Sequence, residues 1–68
     1  MKLVCTFFAP ERISDNYVTD LTVFEFLCYL KAHAGEITIT YVQEISAQEA
    51  QRWTALGYKT LLQRNIPR

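Results

Sequence analysis

Near the start of the chain, Leu3-Val4-Cys5-Thr6-Phe7-Phe8 forms an almost unbroken apolar run. Its length and its Val, Phe and Thr content predict a strand over residues 2–9, buried on both faces. Pro10 ends it. Glu11 to Asp20 then carries Ser14, Asp15, Asn16 and Asp20 with no clear period, and reads as a surface loop of about ten residues.

At Thr22 the rhythm changes. Thr22 and Glu25 have the spacing of a capping box, in which hydroxyl and carboxylate each serve the other residue's backbone N–H. Val23, Phe26, Leu27, Leu30 and Ala34 follow at i, i+3, i+4, i+7 and i+11, one stripe down a helix, and Gly35 suits its C-terminal stop. Thr22, Phe24, Phe26, Cys28 and Leu30 also alternate as in a strand, but the longer helical match and the glycine favour a helix over 23–34.

Glu36 to Val42 alternates again, with Ile37, Ile39 and Tyr41 on one face and Thr38, Thr40 and Val42 on the other, which predicts a second strand. Ser46 and Glu49 have the spacing of another capping box, opening a helix over 47–56 that presents Ala47, Ala50, Trp53 and Leu56 and stops at Gly57. Tyr58 to Leu62 alternates weakly and reads as a short third strand; residues 63–68 read as a loose tail. The expected fold class is therefore α/β (α+β): one small two-layer domain over residues 1–68, with two helices on one face of a two- to three-stranded sheet in the order β-α-β-α-(β). If the first two strands are parallel neighbours, their crossover should be right-handed. A first strand buried on both faces, with helices on only one, would need a further covering surface, which points to a partner or a second copy.

Half of the 68 residues are hydrophobic, which excludes the composition of a disordered segment. A chain this short buries only about 60% of the surface exposed when unfolded, so oligomerisation is a live expectation. Lys2, Glu25, Lys31 and Glu36 interrupt the apolar stretches, and none reaches the roughly 18–20 residues of a membrane span. The first ten residues are read as a strand, not a secretory signal, since no small-residue cleavage site precedes Glu11-Arg12. Cys5 and Cys28 form no Cys-x-x-Cys pair and are expected to be reduced, buried thiols of a cytoplasmic protein.

The net charge of zero hides an asymmetry: residues 1–50 hold three cations against seven acids, a formal −4, and residues 51–68 hold Arg52, Lys59, Arg64 and Arg68 against none, a formal +4. That segment could contact nucleic acid, with Tyr58 available for stacking, although a basic domain overall would be the usual signature. His33, the only histidine, falls in the last turn of the first helix, where its protonated form complements the helix dipole. One histidine and two separated cysteines do not make a metal site, the two glycines cannot build a phosphate loop, and no cofactor is expected. A minimal enzyme would have to use His33 with an acid such as Glu36.

With no catalytic constellation, the leading expectation is a non-enzymatic protein-binding module, an inhibitor or accessory protein that occupies a surface of a larger host protein. In style the chain is similar to the small accessory proteins of phages and mobile elements. Its contact residues would be Tyr17, read as an exposed loop anchor, Thr38 and Thr40 on the semi-polar strand face, and Arg52 and Tyr58. A protein partner is expected, with homodimerisation through the same sheet edge as a further expectation; nucleic acid is less favoured, and no membrane is expected.

Overall fold

A computed structural model describes residues 1–66. Strand β1 (Lys2–Phe8) turns back into β2 (Ile13–Thr19), followed by helix α1 (Val23–Ala34), strand β3 (Ile37–Glu44), helix α2 (Ala47–Ala55), strand β4 (Lys59–Leu61) and a 3-10 turn, Gln63–Asn65. The four strands form one mixed sheet in the order β3-β1-β2-β4. Both helices, the two expected strands and the short third one are present, but β2 replaces most of the expected loop.

Pro10 therefore marks a hairpin rather than only a stop. Arg12 N–H donates to the Ala9 carbonyl at 3.2 Å, and Pro10 sits where its fixed φ suits the second position of a tight turn. Arg12, at φ 56°, takes the left-handed step that leads the chain into β2. The polar half of β2 is tolerated because β4 pairs only with Tyr17–Thr19, leaving Ile13 to Asn16 with β1 alone. There the short polar side chains bond across strands: Cys5 Sγ donates to Asn16 Oδ1 at 2.9 Å, and Thr6 Oγ1 to the Asp15 carbonyl at 3.5 Å.

β1 is antiparallel to both neighbours, so β2, β3 and β4 all run in the same direction. The first two expected strands, β1 and β3, are thus neighbours but antiparallel, since β2 reverses the chain before α1. The crossover from β2 to β3 and the one from β3 to β4 travel in opposite directions across the sheet. With right-handed crossovers the two helices must then lie on opposite faces. The core has that form. Val4 packs with Leu21, Phe26, Leu30 and Leu61 on the α1 side, whereas its chain neighbour Leu3 packs with Val18, Ile45 and Ala50 on the α2 side. The expectation of two helices on one face is corrected accordingly: α1 covers one face of β1, and α2 covers the Leu3 end of the other.

α1 begins with the complete reciprocal cap: Glu25 N–H donates to Thr22 Oγ1 at 3.1 Å and Thr22 N–H to Glu25 Oε1 at 3.2 Å. At α2 only half of the expected box forms, with Glu49 N–H donating to Ser46 Oγ at 3.1 Å. The chain leaves α2 through Gly57 at φ 102°, a conformation that a side chain would strain. Residues 63–66 are ordered into the fold: Gln63 N–H donates to Asp20 Oδ1 at 2.8 Å, and Ile66 packs against the α1-side core. The rest of the expected tail, residues 67–68, lies outside the described residues. No helix among the described residues is long and apolar enough to cross a membrane.

Candidate functional site

β3 is an exposed edge of the sheet. β3 pairs with β1 on one side only, and apart from the half-buried Ile37 and Ile39 its side chains are exposed. Its register shifts between Cys5 and Thr6, where Thr6 opposes Ile39 and Cys5 opposes Tyr41, leaving Thr40 as the extra residue of a β-bulge. The bulge inverts the alternation downstream. Ile37, Ile39 and then Val42 face α1, whereas Thr38, Tyr41 and Gln43 face the α2 side, so the expected grouping of Tyr41 with the isoleucines and of Val42 with the threonines is reversed.

α2 covers only the Leu3–Val18 end of its face. Beyond it the same face carries half-buried Cys5 and Phe7 from β1, exposed Asn16 from β2, and Thr38 and Tyr41 from β3. Tyr41 is 50% exposed and donates its hydroxyl to Gln43 Oε1 at 2.9 Å, while Thr40 Oγ1 donates to the Cys5 carbonyl at 3.2 Å. The edge is thus a strip of aromatic, hydroxyl and amide groups with an acid at each end, Glu36 and Glu44; Glu44 reaches Lys2 at 4.0 Å.

The sequence-predicted contact residues do not converge on it. Thr38 and Thr40 are exposed on β3 as expected. Tyr17 lies in β2 rather than in a loop, half-buried and edge-to-face on Phe26 with ring centroids 5.2 Å apart. Burial raises its hydroxyl pKa above the ordinary 10.0; Lys59 opposes that shift and Asp15 adds to it. Tyr58 stacks on Trp53 at 5.0 Å within the α2-side core, and Arg52 is exposed on α2. Both aromatic positions belong to the packing of the core clusters.

The cations of the C-terminal segment are separated by the sheet. Lys59 lies opposite Tyr17 in the β2–β4 register, on the α1 side, and binds Asp15 at 3.2 Å; Arg52 lies on the helix of the other face, and Arg64 lies in the 3-10 turn. Arg68 is outside the described residues. His33 is exposed and tilts against Tyr29 at 4.3 Å, and no ion pair joins it to an acid among the described residues. Both thiols are free, but Cys28 is exposed on α1, contrary to its expected burial, because Phe26 and Leu30 take the inward positions.

Sequence reasoning missed two surface groups. The alternation puts Tyr41 on the core face because the bulge leaves no mark in it. Phe24, 76% exposed on α1, lies outside the Val23–Phe26–Leu30 stripe, and its apolar character is the available signal. No protein-family model matches the chain, and comparison with curated proteins and with solved structures finds no match.

Proposed function

We propose that the chain is a non-enzymatic protein-binding module that takes an extended segment of a larger host protein as an added strand along β3, acting as an inhibitor or accessory subunit. The observation that carries this reading is the open edge itself. Natural sheets protect long edges with proline, charges, β-bulges or covering loops. β3 runs for eight residues with one bulge and no proline, Glu44 is its last residue and Glu36 immediately precedes it. Strand addition would draw affinity from main-chain hydrogen bonds and specificity from side chains beside the edge, here Thr38, Tyr41 and Phe7. Glu36 and Glu44 favour a partner strand flanked by cations, and they disfavour a second copy paired about Thr40, which would set these acids against each other. Reduced thiols fit action in the cytoplasm.

The test places a photoreactive residue at Thr38 or Gln43 in the cell, with Lys31 on α1 as the control position. One discrete heterologous adduct from the β3 positions, absent from Lys31 and lost in a Tyr41→Lys background, is the expected result. Adducts independent of position, or none from β3, would refute the reading, and a self-adduct would replace it with homodimerisation.

A further inference from the structure

Past the carboxyl ends of β2 and β4 the surface opens into two adjoining cavities of about 620 and 500 Å³, with Met1, Leu62 and Arg64 lining both. They lie at the β4 side of the sheet, the edge opposite β3, where α2 stands beside β2 and β4 and the turn after β4 carries Arg64.

The second cavity, of about 500 Å³, has the size of a small-molecule site. Its α2 wall presents Ala47, Ala50 and Ala55 beside Gln51 and Thr54, and Val18 and Leu62 add apolar surface. Arg64 is a cation of this crevice and forms no ion pair among the described residues. A carboxylate shares the first cavity: Asp20 Oδ1 accepts the Gln63 N–H at 2.8 Å, the bond that anchors the turn carrying Arg64.

We propose that this groove binds an aliphatic monocarboxylate, with the hydrocarbon chain along α2 and the carboxylate on the Arg64 guanidinium. A planar guanidinium can take a carboxylate through two parallel hydrogen bonds. A peptide's N–H and C=O groups would each need a partner. Besides Arg64, the polar side chains of the wall are Gln51, Thr54 and Thr60, and the Thr54 hydroxyl already donates to the Ala50 carbonyl at 2.9 Å. A hydrocarbon chain needs no such partners.

The test is a titration of the full, 15N-labelled chain with decanoate, with decan-1-ol, and with an N-acetylated tripeptide of leucine carrying a free carboxylate. Decanoate should shift the amides of Ala47, Ala50, Ala55 and Leu62 saturably. Arg64→Gln should weaken binding about tenfold, as the loss of one charge-assisted contact implies. Ala55→Phe should block it by filling the groove. Arg64 and Ala55 are both exposed, so amide dispersion should report an unchanged fold in each variant. The proposal is overturned by decan-1-ol or the peptide binding as tightly as decanoate, by unchanged affinity in the Arg64→Gln protein, by shifts centred outside the groove, or by no binding at all.

Discussion

Lys59 and Asp15 join β4 to β2: the ammonium donates to Asp15 Oδ2 at 3.2 Å and stands 5.8 Å above the Tyr17 ring centre. The hydrogen bond to Asp15 is the main reason the Lys59 pKa lies above its ordinary 10.5, and burial is the main reason the Tyr17 pKa lies above 10.0. In both cases the folded chain holds its proton more tightly than the unfolded chain. The associated stability is complete below the ordinary values and is lost as pH rises through the raised ones. Urea unfolding midpoints should therefore be level across neutral pH and fall above about pH 10. The Lys59 side chain is 58% exposed, so solvent screens its share and Tyr17→Phe should remove much of the slope. A midpoint that rises with alkali, or a slope unchanged in the Tyr17→Phe protein, would contradict this assignment.

Phe26 is fully buried, with Tyr17 edge-on to its ring, at the centre of the α1-side cluster. Phe26→Ala removes about 3–5 kcal/mol, a large part of the stability available to a domain of this size. Circular dichroism should show that variant largely unfolded at 37 °C, whereas Phe26→Leu should remain folded with a lowered melting temperature. A Phe26→Ala protein that melts like the parent would show that α1 does not anchor the core.

The two thiols should differ in reactivity through access. Cys28 is exposed on α1, whereas Cys5 is half-buried and donates to Asn16. Mass-resolved alkylation under native conditions should label Cys28 first, and Asn16→Ala should accelerate Cys5 without altering Cys28. Equal rates in the folded protein would place both thiols in solvent.

Much of the fold was legible because its signals are local. A helix cap depends on residues three apart, so Thr22 and Glu25 marked the start of α1 correctly, and Ser46 marked the start of α2. β2 was hidden for the opposite reason. Ser14, Asp15 and Asn16 have low strand propensity, and they are held in a strand by β1 and by contacts to Cys5, Thr6 and Lys59, residues 9 to 44 positions away. Missing β2 also concealed the direction of β1 and placed Tyr17 in a loop.

The chain by itself determined where its helices begin and end, that Leu3 to Phe8 form a strand, and that a thin core must absorb most of its aromatic rings, because periodicity, caps and turn residues act over a few positions. Only the tertiary structure decided which face each helix covers, since that depends on the order of the strands. It also decided the outward turn of Tyr41, which a single bulge at Thr40 controls, and the crevice at Arg64, where α2, β2 and the turn after β4 come together. Each of these follows from pairing between distant segments, and no local pattern encodes that pairing.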